Sequence, residues 1–172
     1  MPDHPEDYED VSVYTLDDDD EAELLSTTRE CTFMWGTKDG WPVGVIMSYL
    51  FRDGRFWLTC TSHRKRVAAV RRDPRVSICV TSGGGSMRRA RTVTYKGICT
   101  IHDDDETKGW FYPALAETIH PTDESLQGYF VKFLDSPGRL IFEVEPTKRI
   151  GFDGAKMSKA TADWIAASEA QD

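Results

Sequence analysis

The chain has no C-x-x-C pair, no G-x-S-x-G and no P-loop, since the glycines at 83–85 lack a following Lys-Ser or Lys-Thr. It also has no run of about 18 apolar residues, which excludes a transmembrane helix. Residues 1–28 contain no Lys or Arg and hold eleven acids. An acidic start without an apolar stretch argues against a secretory signal, so a cytoplasmic protein is expected. The four cysteines (Cys31, Cys60, Cys79 and Cys99) are far apart, each inside an apolar run. That usage fits buried free thiols in a reducing compartment.

The chain does have enough residues for a core. It is 172 residues long and 40% apolar, one domain by size. Its net charge of −8 is unevenly spread. With eleven of the 29 acids in the head, the rest holds 18 against 21 bases, a balance of +3. Residues 62–92 carry nine bases and one acid, Asp73. Residues 1–20 therefore read as a disordered acidic tail, and 21–172 as a single folded domain.

Periodicity supplies the elements. Glu21 to Arg29 suits a short helix. Cys31 to Thr37, Trp41 to Phe51 and Arg55 to Thr61 read as strands joined by turns at Asp39-Gly40 and Asp53-Gly54. Ser62 reads as the N-cap of a helix ending at Arg72, before Asp73-Pro74. Strands follow at Arg75 to Thr81 and Arg89 to His102, with Gly97 as a bulge. A helical insertion covers about 103–135. Strands at 139–145 and 147–152 and a helix from Ser158 to Ala170 complete the chain. Many short antiparallel strands with few helices predict a mainly β fold, a small barrel with peripheral helices.

The densest chemistry lies at Thr59-Cys60-Thr61-Ser62-His63-Arg64-Lys65-Arg66. Hydroxyls, free backbone N–H groups and three cations meet where a strand enters a helix. A phosphate monoester needs that combination; a solvated basic face is the plainer reading. The stretch Phe56 to Ser62, Lys65-Arg66 and Arg71-Arg72-Asp73-Pro74-Arg75-Val76-Ser77 resembles the pyridoxamine 5′-phosphate oxidase-like split-barrel flavoproteins. Asp39-Gly40-Trp41-Pro42 and Arg91 to Gly97 resemble them in position, so the likeness covers about 30–102 and, more loosely, 139–152.

The resemblance implies an FMN-binding split β-barrel, a homodimer with the cofactor at the subunit interface. It implies a flavin-dependent oxidoreductase moving hydride between FMN, or the related 8-hydroxy-5-deazaflavin coenzyme, and a small organic substrate. The alternative is a non-catalytic flavin- or heme-binding protein on the same fold. The family's phosphate-binding cation falls on Arg66 with Lys65, or one register earlier on Arg64. Thr59, Thr61 and Ser62 become hydroxyl partners. Met47 and Ser48 match positions lining the ring, and Arg91 and Thr92 match positions reaching it from another strand or subunit. No catalytic side chain is implied. The true oxidase has an Arg and a Lys on the second strand where this chain has residues such as Val43, Ser48 and Tyr49, which argues against that activity itself. His102 before Asp103-Asp104-Asp105 fits a helix cap better than a metal site. The acidic head and the apolar interruptions of the basic segment argue against nucleic acid as a partner.

Overall fold

A computed structural model describes residues 11–83 and 90–170. Arg88, Arg89 and most of the glycine-rich loop lie outside the described residues. After a 3₁₀ turn at Val11–Val13 come α1 (Asp18–Thr27), β1 (Glu30–Gly36), β2 (Pro42–Ser48), β3 (Leu50–Arg52) and β4 (Arg55–Thr61). Then follow α2 (Lys65–Arg72), β5 (Arg75–Thr81), β6 (Arg91–His102), α3 (Asp105–Ile119), α4 (Glu124–Leu134), β7 (Arg139–Asp153) and α5 (Gly154–Glu169).

All seven strands form one antiparallel sheet in the order β2-β1-β5-β6-β7-β4-β3. The outermost strands, β2 and β3, are separated by Tyr49 alone. The sheet is therefore curled, a split barrel with its two edges joined through one kinked segment. Tyr49 is buried there, and its hydroxyl donates to the Leu25 carbonyl at 2.9 Å. Inward residues alternate as a pleated strand requires. Phe33, Phe56, Leu58, Ile78, Val80, Val93, Phe142 and Val144 fill the interior. A second apolar cluster (Phe111, Tyr112, Leu115, Leu134 and Ile141) seats α3 and α4 on the sheet. No described helix is long and apolar enough to cross a membrane.

The structure departs from the sequence reading at several element boundaries. The single strand expected over Trp41 to Phe51 is two. The two strands expected after Gly138 are one, β7, paired along β6 with a register shift at Lys96/Gly97. A Cβ on Gly97 would stand 2.7 Å from the Glu145 carbonyl, so the bulge requires glycine. The C-terminal helix starts four residues early, because the Asp153 carboxylate accepts from the Ala155 and Lys156 amides. Finally, the boundary drawn at residue 20 falls inside α1. Leu16 is only 2% exposed, the Tyr14 carbonyl accepts from the Asp153 amide, and Asp17 pairs with Lys156. Composition alone cannot show that these few groups have partners 130 residues away.

A candidate anion and ring site on the outer barrel face

Strand alternation sends Thr59 and Thr61 of β4, Ser48 and Ile46 of β2, Thr32 of β1, Thr81 of β5 and Thr92 of β6 to the outer face. The register links them: Ser48 pairs with Glu30, Thr32 with Cys79, and Thr81 with Thr92. Tyr49 alone separates β2 from β3, which lies beside β4. Thus the segment holding Ser48 runs directly into the strand that pairs with β4 at Arg55 to Trp57. A cleft of about 760 Å³ opens between the C-terminal end of α1 and this face, lined by residues including Thr28, Arg29, Thr32, Ile46, Ser48 and Thr81.

The basic turn from β4 into α2 contributes no residue to the lining of that cleft. Ser62 does not cap the helix: its amide donates to the Gly138 carbonyl and the Arg64 amide to the Thr61 carbonyl, so helical geometry begins only at Lys65. Arg64 is the N-cap and supplies no side-chain cap. The first turn of α2 therefore presents unsatisfied backbone N–H groups and the positive end of its dipole. Among the described residues, no Asp or Glu pairs with Arg64, Lys65 or Arg66. Arg66 Nε is buried without a hydrogen-bond partner. A buried guanidinium N–H in that state is costly unless a ligand satisfies it.

The Cys60 thiol responds to these cations. Burial pushes it up, the larger effect, while a side-chain hydrogen bond with Arg66 and the charges of Arg66, Arg139 and Arg64 pull it down. Arg139 was not singled out from the sequence. It opens β7 opposite Thr61, and its Nε donates to the Leu134 carbonyl at 3.2 Å. The signal available was its place just after Gly138, but only the β4–β7 pairing brings it to the basic turn.

The other expected site residues divide. The Thr61 hydroxyl stands 3.3 Å from His63 Nε2 at the exposed rim. The Thr59 hydroxyl donates to the Leu140 carbonyl at 2.8 Å, leaving only its lone pairs for a ligand. Ser48 and Thr92 face the outer side, and the Thr92 hydroxyl is 3.2 Å from that of Thr81. Met47 points the other way, into the barrel interior, at 8% exposure. Its neighbour Ser48 takes the outward position because strand parity allows only one of the two. Arg91 is paired with Asp20 and Glu23 of α1 at 3.0 Å, with Asp153 at 3.6 Å. His102 sits 2.7 Å from Glu143, and no His, Cys, Asp and Glu group suited to a metal occurs among the described residues.

Residues 20–150 match the pyridoxamine 5′-phosphate oxidase family. The chain belongs to that family. Its split barrel is also the fold of several solved structures. A conserved hypothetical protein from Mycobacterium tuberculosis has a TM-score of 0.72 at 20% identity, over 84% of this chain and 89% of that one. An FAD-binding protein from Mesorhizobium loti has a TM-score of 0.56 at 18% identity, over 80% and 94%. An F420 reductase has a TM-score of 0.54 at 21% identity, over 74% and 93%. No curated protein matches the chain. Solved structures with this fold thus include a protein described as FAD-binding and an F420 reductase.

Proposed function

We propose that this protein is a flavin-dependent oxidoreductase, holding FMN or the 8-hydroxy-5-deazaflavin coenzyme F420 and acting on a small organic substrate. The observation that carries the reading is the unneutralised cation set at the start of α2, with Arg66 Nε buried and unpartnered. Structural cations elsewhere, such as Arg55, Arg91 and Arg149, have carboxylate partners. These residues fit a phosphate monoester: Arg64, Lys65 and Arg66 supply charge, the α2 amides supply donors, and Thr61 and Ser62 supply hydroxyls. When bound, the flavin supplies hydride transfer. The chain's own task is to hold the phosphate, shield the ring along Ser48, Thr81 and Thr92, and shape the pocket. By the resemblance, the residues around Val43 and Ser48 or Tyr49 stand where the oxidase has an Arg and a Lys, so pyridoxamine 5′-phosphate is not the proposed substrate.

The working unit is proposed to be a homodimer. The outer sheet face exposes Ile46 and Ile150, and the ring-side cleft on it is open to solvent. A second copy seated there would bury apolar surface and close the cleft from its own side.

Titration of the purified protein with FMN and with the deazaflavin, followed by absorption, tests the reading. Saturable binding of one of them is expected. Lys65→Ala/Arg66→Ala should then lose about 3–6 kcal/mol of binding, each charge-assisted bond contributing about 1.5–3 kcal/mol. Unchanged affinity in that variant rejects the site. A heme spectrum after incubation with hemin, with no flavin binding, replaces the reading with the non-catalytic alternative.

A further inference from the structure

Outside the outer-face cleft, the strongest unexplained feature is α4. Its solvent-facing side presents Leu126, Tyr129 and Phe133, with Tyr129 69% and Phe133 67% exposed. The spacing 126-129-133 is one helical stripe. Its inner side, through Leu134, belongs to the cluster that seats the helix, so the exposed rings are not needed for that packing. Phe130 stacks on Phe133 at 6.3 Å with only 18° between the planes. Arg139 lies over the Phe133 ring, its guanidinium carbon 5.6 Å from the ring centre. The same Arg139 pairs through its backbone with Thr61 and acts electrostatically on Cys60 beside Arg66. The aromatic stripe and the phosphate-binding cations therefore meet through one residue.

β4 lies between β3 and β7, and Arg139 opens β7 opposite Thr61 at the basic turn. A mononucleotide with its phosphate on Arg66 would not need Arg139 or Phe133. A ligand that continues past its phosphate toward the start of β7 would reach both.

Resting on the flavin reading above, we infer that Arg139, Phe133 and Tyr129 form a second subsite, for the base of a flavin dinucleotide. Arg139 neutralises the second phosphate of the diphosphate, and Phe133 with Tyr129 offers a flat surface for the adenine ring. Stacking of a base on an aromatic side chain is tolerant of which base it is, and Arg over a ring adds a cation–π contact. The charge complements a diphosphate: Arg64, Lys65, Arg66 and Arg139 have no carboxylate partner among the described residues.

The test compares FAD with FMN, and ADP alone, on the full chain and on Phe133→Ala, Phe133→Trp and Lys65→Ala/Arg66→Ala. Phe133 is exposed, so its replacement should leave the melting temperature in place. FAD is expected to bind at least about tenfold more tightly than FMN, the scale of one stacked base. Phe133→Ala should abolish that preference and Phe133→Trp should restore it. ADP should compete with FAD and lose about tenfold in Phe133→Ala. FMN binding as tight as FAD, with no response to Phe133→Ala, overturns the subsite while leaving the flavin reading intact. ADP binding sensitive to Phe133 without any flavin binding supports the subsite and rejects the flavin reading. No binding of any of the three rejects both. A change of oligomer mass in Phe133→Ala with an unaltered FAD-to-FMN ratio assigns the stripe to a second copy and overturns the proposal.

Discussion

At Gly138 the backbone takes φ +72°, and a Cβ would stand 2.7 Å from the Ser62 hydroxyl. The carbonyl of the same residue accepts from the Ser62 amide at 2.7 Å. One glycine thus fixes where the chain leaves β4 and where Ser62 sits beside the cations. Gly138→Ala should cost about 1–3 kcal/mol through the forced left-handed backbone, and it should weaken flavin binding by displacing Ser62. Thermal melts and FMN titration read the two effects; an unaltered melt would remove the strain argument. Buried thiols carry a different prediction. Burial, with smaller contributions from Cys79 and Glu30, pushes the Cys31 thiol from 9.0 to about 12. A raised folded pKa means this contribution to stability is complete below pH 9 and is lost as pH rises toward 12. The melting temperature should fall across that window, and Cys31→Val should fall less steeply. Parallel curves for the two proteins would exclude Cys31 as a source.

Among the elements, α1 links the acidic head to the barrel. Leu24 and Leu25 are buried under it, and its acids reach β6 and β7: Glu21 pairs with Arg149 and accepts from Tyr95, while Asp20 and Glu23 hold Arg91. These partly exposed pairs contribute little singly. The buried Leu16 contributes about 1.5–3 kcal/mol. Deleting residues 1–20 removes Leu16, Asp17–Lys156 and the first turn of α1. Stability should fall by at least about 2 kcal/mol in denaturant unfolding. A midpoint within error of the full chain would return the segment to the role of a solvated tail. Three carboxylates surround Arg91: Asp20 and Glu23 from α1 and Asp153 from the end of β7.

For the whole molecule, the proposed dimer and the site stand or fall together. Ile46 is 62% exposed on the outer face, in the wall of the cleft. Light scattering should return twice the 19.5 kDa protomer mass. Ile46→Asp should yield the monomer, because a buried unpaired carboxylate at an apolar contact is strongly unfavourable, and the flavin dissociation constant should rise with it. A wild-type mass of 19.5 kDa at micromolar concentration would reject the dimer. A dimer whose Ile46→Asp variant stays dimeric would move the interface to another face.

The sequence by itself determined the local elements and their chemistry. Alternating apolar residues and Gly-bearing turns mark β1, β4 and β5 at nearly the observed limits, because strand period and turn geometry act over a few residues. The run of cations before Val67 and its nearness to a helix start were equally readable. The tertiary structure decided what depends on distant partners. It set which member of the Met47-Ser48 pair faces out, because that requires knowing where the core lies. It placed Arg139 beside Thr61, 78 positions apart in the chain. It enclosed Arg91 in carboxylates from α1 and β7, partners that lie 68 positions before it and 62 after it in the chain. Charge and hydroxyl content are properties of single residues, whereas neutralisation and orphaned donors are properties of neighbours that only the curled sheet brings together.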